Sequence, residues 1–485
     1  MRPLGARWLG LALALLTSGV VRRASAQDAE VEGFFVASVG FTDNIDSRSP
    51  ATLPGQEGPQ ADGFTTLSPS IAFVYSTPRA VYRSSYTFST TLYFQNPEGN
   101  TVGNAVGLAS RFETSETTSL LLSLGAEQGQ LNQVTVGETA STRPVQFVSP
   151  GDNVYFRFTA GEGLEIQASE NVSVLQTLGA SLYVPLDGQR VQAYDGTLGV
   201  VRAFNYDSLG LTAGVGYANF EEFEEQPLPA APGDLPAAPV ITPQTQQINT
   251  RLTGTWIHNY TDYLSHQLDA GVVMVMRAND GGGRLVQPVG RAALRYVRPE
   301  AAASIEYAHD ATANVFVGTY VLSDSVVARL LVPIVGTELA TEGSAGYSMA
   351  REINGNGDLG EPAHLWTGDV ALLWAPAGVR GNLQMALRYQ VVNQSSANEN
   401  DPAFSRTPDF TRNTVLLSVT AAYPDIERGT APASAAPPFR TVPASGGFLE
   451  APDPGAPVGP GSPGSPGAPT SPGSPGAPGA APADD

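Results

Sequence analysis

A chain of 485 residues with 46 acidic against 26 basic side chains carries a formal charge of −20, which excludes nucleic acid as a natural partner. It has no cysteine, so disulfides and thiolate chemistry are excluded as well. Beyond its first residues it offers no apolar run approaching the ~20 residues of a membrane-spanning helix.

The elements follow in chain order. Arg2 and Arg7 precede an apolar run from Trp8 to Leu16, and Ala24-Ser25-Ala26 supplies small residues for cleavage. Residues 1–26 therefore read as an export signal, with Gln27 opening the mature chain. From Val31 to Tyr423 the pattern alternates with period two, the mark of strands with one apolar and one wet face. Tyr82, Tyr86, Phe88, Leu92 and Phe94 share one parity, while Arg83, Ser85, Thr87, Ser89 and Thr91 share the other. Val154, Phe156, Phe158, Leu164 and Ile166 repeat the pattern, and Glu162 breaks their row. Trp366, Val370, Leu372 and Trp374, then Leu383, Met385, Leu387, Tyr389 and Val391, give two later apolar faces.

Short turns are expected near Thr77-Pro78, Ser115-Glu116, Glu170-Asn171, Tyr206-Asp207, Thr261-Asp262, Pro299-Glu300, Gly336-Thr337 and Pro376-Ala377. Long polar or Gly/Pro-rich loops fall between them, notably at 44–62, 131–152, 221–245 and 393–408. This alternation predicts an all-β fold, a transmembrane antiparallel up-and-down β-barrel over residues 27–423. About eighteen strands are expected, with sixteen as the alternative because the pattern blurs at 193–201 and 316–332. An even count puts both mature termini in the periplasm and the barrel in a bacterial outer membrane, against lipid and lipopolysaccharide. Residues 424–485 are rich in Pro, Gly, Ala and Ser, and read as a disordered, polyproline-like periplasmic tail.

Inward parity selects the candidate site. Arg83, Arg157, Arg291, Arg295, Arg329, Arg380 and Arg388 fall on it, with Glu165, Asp195, Asp269, Glu306, Glu342 and Asp369. Opposed basic and acidic walls would orient water and polar solutes, whereas pairing among these charges would stiffen the wall. Tyr155 and Tyr183 share the parity and are candidates for stacking on sugar rings or for filling space. Outward aromatics, including Tyr75, Tyr82, Phe94, Tyr217, Trp256, Tyr260, Trp366, Trp374 and Tyr423, suit interfacial girdles.

Catalysis has little to start from. The four histidines, His258, His266, His309 and His364, sit in no recognisable motif. Asn354-Gly355-Asn356-Gly357-Asp358 spaces oxygen ligands as calcium loops do, but Leu365 stands where the closing glutamate belongs. The cluster Glu221-Glu222-Phe223-Glu224-Glu225 reads as a solvated loop. No enzyme, metal or cofactor is expected.

Val39-Gly40-Phe41-Thr42-Asp43-Asn44-Ile45, followed by Leu67-Ser68-Pro69-Ser70-Ile71, resembles the opening hairpin of Gram-negative outer-membrane β-barrel porins. The final strand, Val415 to Tyr423, looks like the signal read by the barrel-assembly machinery, although here it precedes a long tail. The resemblance implies a pore associated with exopolysaccharide export and a periplasmic export partner. A general diffusion porin and a closed structural or adhesion barrel are the alternatives.

Overall fold

The computed structural model describes residues 28–423 apart from 46–57, 131–153, 187–188, 224–240, 278–283, 299–300, 315–318, 336–337, 354–357, 377–382 and 397–408. The expected export signal and tail, Arg380, the calcium-like run short of Asp358 and most of the long loops lie outside the described residues.

Eighteen strands follow one another: β1 (Asp28–Thr42), β2 (Asp62–Thr77), β3 (Ala80–Tyr93), β4 (Thr101–Ser115), β5 (Thr118–Gln130), β6 (Val154–Ser169), β7 (Val172–Pro185), β8 (Gln189–Ala203), β9 (Asp207–Phe223), β10 (Ile241–Asn259), β11 (Leu264–Arg277), β12 (Arg284–Val297), β13 (Ala302–Asn314), β14 (Thr319–Val335), β15 (Leu339–Ile353), β16 (Leu359–Trp374), β17 (Leu383–Ser396) and β18 (Phe410–Tyr423). Each pairs antiparallel with the next, and β1 pairs with both β2 and β18, so the sheet closes on itself and leaves no edge. Five of the expected short turns, from Thr77-Pro78 to Thr261-Asp262, fall among the described residues, and each joins an even-numbered strand to its successor at one rim, the turn rim; those at 299–300, 336–337 and 376–377 include residues outside the described ones. Connections from odd- to even-numbered strands define the opposite, loop rim.

Alternation fixes the two faces. Leu211 on β9 is 56% exposed while its neighbour Thr212 is 4% exposed. The same contrast separates the outward Val370 and Leu372 from the inward Asp369. Large apolar side chains thus cover the outside and polar ones line the lumen.

Three regions show why the pattern blurred. In β8 the inward Val191 and Ala193 are fully buried, so both faces of the strand read as apolar. In β14 the same is true of Val321 and Val327 on one parity and Leu322 on the other. The expected loop at 221–245 is shorter than predicted, because Phe223 pairs with Ile241 and Glu221 with Pro243. The ladder thus continues through residues whose sequence does not alternate. A register shift between Pro243 and Thr245 accommodates the proline, which has no N–H to donate.

The closing seam explains the opening motif. Gly40 faces inward beneath the ring of Phe64, and a Cβ there would stand 2.6 Å from the Val415 carbonyl oxygen and 2.7 Å from Phe64 Cζ. Ile45, Phe64, Tyr93 and Leu416 bury one another beside it. Asp43 accepts hydrogen bonds from the backbone N–H of Asn413 (2.7 Å) and from its Nδ2 (2.6 Å). Asn44 Nδ2 donates to the Thr411 carbonyl (3.2 Å). The Gly-Phe-Thr-Asp-Asn run therefore latches the first strand to the last at the loop rim.

Candidate functional site: a charged belt and an inward hairpin

One arc of the inner wall, from β11 to β17, carries a belt of charge. Asp269 lies directly opposite Arg291. Glu306 on β13 sits diagonally between Arg291 and Arg295 and pairs with both, at 2.5 and 3.9 Å. Arg329 on β14 has Ser304 and Ser344 as cross-strand neighbours, which places it between Glu306 and Glu342. Arg388 on β17 donates from Nη2 to Glu342 (3.0 Å) and from Nη1 to Asp369 (3.0 Å). Side chains of opposite sign on neighbouring strands thus neutralise each other along the wall, with Arg388 serving the two carboxylates of β15 and β16. A buried guanidinium or carboxylate deprived of its partner is costly, so this pairing is what keeps the belt charged.

The remaining arc is mostly hydroxyl-lined. Thr66 bonds Thr91 (3.3 Å), Thr87 donates to Ser70 (2.9 Å), and Thr177 bonds Thr197 (2.6 Å). Arg83 pairs with Glu32 at 2.9 Å near the turn rim, and Arg157 with Glu127 at 4.0 Å. Glu165 lies on the inward parity near the same rim. Asp195 lies over Gly179, where any Cβ would collide with its carboxylate. The expected opposition of a basic wall to an acidic one is therefore not the arrangement found. Both signs mix within one arc, because neighbouring strands bring them within reach and the lumen separates the far walls.

Tyr155 and Tyr183 pack against each other at a tilt of 31°, their ring centroids 5.3 Å apart. Tyr155 donates its hydroxyl to Glu127 (2.7 Å), and Tyr183 is 5% exposed. Their faces are spent on packing, which corrects the reading of them as platforms for sugar rings.

A second feature narrows the lumen at the loop rim. Strand β12 pairs with β11 as far as Arg284, but its pairing with β13 ends at Gly290 and His309. Beyond that point β13 and β14 stay paired with each other to Asn314 and Thr319. The sheet therefore opens between β12 and β13 at this rim, while β14 stays paired with β15 as far as Val321 and Glu352, and the β13 edge of this hairpin tip leans toward the lumen. Arg251 of β10, three strands away, forms an ion pair with Asp310. Asn249 Nδ2 donates to the Tyr320 hydroxyl and Gln247 Oε1 accepts from the Tyr320 backbone N–H, both at 3.0 Å. The tip lies across the inward Val273, Val275 and Val289. Ala311 and Leu322, whose parity would face outward in a regular wall, are buried because the tip is covered on both sides. The same cluster reaches Tyr183, Val191 and Phe220 on β7 to β9.

The sequence reading missed Glu32, Glu127, Gln247, Asn249, Arg251 and Tyr320. Arg251 shares parity with Thr253 and Thr255, a signal that marks it as inward, but nothing local records that Asp310 would cross to meet it.

The histidines are engaged on the outer face near the rims. His258 Nδ1 lies 2.8 Å from Asp207, His309 Nδ1 2.8 Å from Asp324, His266 Nδ1 3.0 Å from the Tyr260 hydroxyl and His364 Nδ1 2.9 Å from that of Tyr347. Among the described residues no three His, Asp or Glu side chains converge as metal ligands do. Glu221 accepts from Asn219 Nδ2 (2.7 Å) and pairs with Arg190 at 3.9 Å.

No protein-family model matches the chain, and no curated protein matches it. Among solved structures it is similar to the outer-membrane protein OpdK of Pseudomonas aeruginosa, at 12% identity and a TM-score of 0.43 over 82% of this chain and 99% of that one. The ferric enterobactin receptor PfeA of the same organism, a double mutant, matches at 10% identity and a TM-score of 0.42, covering 82% and 81%. OccK2 (OpdF) from that organism, in complex with glucuronate, gives 10% and 0.42, covering 82% and 98%. Likeness at this level assigns neither family nor cargo.

Proposed function

We propose that this chain is an outer-membrane pore that passes small polar solutes by diffusion. The single observation that carries the reading is the inward β13–β14 tip, which narrows the loop-rim mouth above a wall of mutually paired charges. An outer face of exposed Leu, Val and Phe, with aromatic pairs such as Tyr75–Tyr82 and Tyr82–Phe112 at the turn rim, suits a lipid bilayer. A closed eighteen-stranded sheet has the girth for an aqueous lumen. The paired belt favours hydrated, weakly charged cargo, since neither sign is left in excess along that arc.

Export of a polysaccharide chain with a periplasmic partner is the reading that the opening motif suggested. The hairpin weighs against it, because a moving polymer requires a mouth kept clear along its whole passage. The test is swelling of proteoliposomes in sugars of increasing size. Monosaccharides should enter faster than trisaccharides, and a long glucan should be excluded. Equal rates for all sizes, or none for any, would overturn the proposal.

A further inference from the structure

Among the described residues, the outer face carries a carboxylate that its neighbours leave unsatisfied. Glu162 is the ninth of the sixteen residues of β6, midway between the rims. Its cross-strand neighbours are Leu122 and Leu178, both exposed outward. Several other polar groups on this face have partners. Asp324 accepts from the Tyr307 hydroxyl, Asp207 from Trp256 Nε1, and Asn104 Nδ2 donates to Gln128. Glu162 has no hydrogen-bond or ion-pair partner among the described residues. One diagonal step away, opposite Leu164, the amide of Gln176 also faces outward without one. Beside them a groove of about 400 Å³ opens where Ala126, Ala160 and Ala180 lie between the larger Leu124, Phe158 and Tyr194.

A carboxylate at mid-height in hydrocarbon is costly, and its side chain is too short to reach either interface. It needs a donor from outside the barrel. We infer that the face formed by β5 to β8 is the contact surface for a second copy of this chain, centred on Glu162 and Gln176. This inference rests on the membrane reading above.

The face is complementary to itself. A two-fold axis along the membrane normal keeps every residue at its own depth, so each Glu162–Gln176 patch meets the other. Gln176 supplies the N–H donors that Glu162 lacks, and Glu162 supplies the acceptor. The small-residue groove beside them admits the partner's Phe158 or Leu124, which a flat wall of leucines would not. A basic foreign partner would satisfy Glu162 and leave Gln176 unmatched.

Because the chain lacks cysteine, a single introduced thiol reports cleanly. Full-length protein carrying Leu178→Cys, and separately Ala180→Cys, is treated in native outer membranes with a short bis-maleimide. Val370→Cys, on the outer face of β16, is the control. The expected product at either site is an adduct of twice the monomer mass, about tenfold more abundant than at the control. Adding Glu162→Leu to the same backgrounds should abolish that excess while the barrel still shows its heat-dependent gel mobility. Adducts no more abundant than the control, an adduct of another mass, or one insensitive to Glu162→Leu would each overturn the proposal. Fractionation and sugar permeation of the same samples report separately on the membrane and pore reading.

Discussion

At the residue scale, Gly40 and Arg388 show two ways in which a single position holds the wall. Gly40 leaves room for the Phe64 ring and the Val415 carbonyl at the seam. Gly40→Val should force Phe64 out of its seat and destabilise the barrel by about 1–3 kcal/mol, as overpacking does. The check is a lower temperature for its heat-dependent gel mobility shift. Arg388 joins Glu342 and Asp369, and all three are largely buried. Arg388→Met should cost about 3 kcal/mol and shift the channel toward cations, because two carboxylates lose their shared partner. Denaturant titration and reversal potential in a salt gradient measure these effects. Adding Glu342→Leu and Asp369→Leu should restore much of the stability. Parity alone located Arg388, Glu342 and Asp369 on the inner face. Their pairing was not legible, because it depends on the register between β15, β16 and β17. The two inward tyrosines make the same point. Inward parity placed Tyr155 and Tyr183 correctly, but register set them against each other and so removed both from the free wall.

At the element scale, strands and turns were legible because a half-wet wall imposes alternation and a tight turn demands its own residues. The short turns around Thr77-Pro78 and Tyr206-Asp207 fell where those residues indicated. What resisted reading was the behaviour of β13 and β14. A hairpin that parts from β12 and leans inward is covered on both faces, so Ala311, Val321 and Leu322 lose the contrast that marks a half-wet strand. Among the polar ties that hold the tip are Arg251 with Asp310, and Asn249 and Gln247 with Tyr320. Asp310→Ala should loosen the tip and leave Arg251 unpaired, giving larger and noisier single-channel openings than the parent. Gln247→Leu with Asn249→Leu, which removes both side-chain ties to Tyr320, should have the same effect in the same recordings. Recordings unchanged in both variants would mean that the tip does not control the mouth.

At the scale of the whole molecule, closure solves two problems at once. A sheet of eighteen strands with β1 paired to β18 has no free edge to aggregate, and it encloses a lumen that polar side chains can line. The latch of Asp43 and Asn44 onto Asn413 and Thr411 ties the earliest strand to the last. Completion of the barrel therefore waits on the whole chain, and Asp43→Ala should slow folding into detergent micelles, followed by the appearance of the heat-modifiable species. The central claim is that the hairpin and belt leave a narrow aqueous path. Single-channel conductance of the purified mature protein in a planar bilayer, with polyethylene glycols of graded size added to block the current, tests it most directly. The account predicts steady openings blocked only by polymers small enough to enter the constricted mouth. A silent barrel, or a wide channel entered equally by polymers of every size, would contradict it.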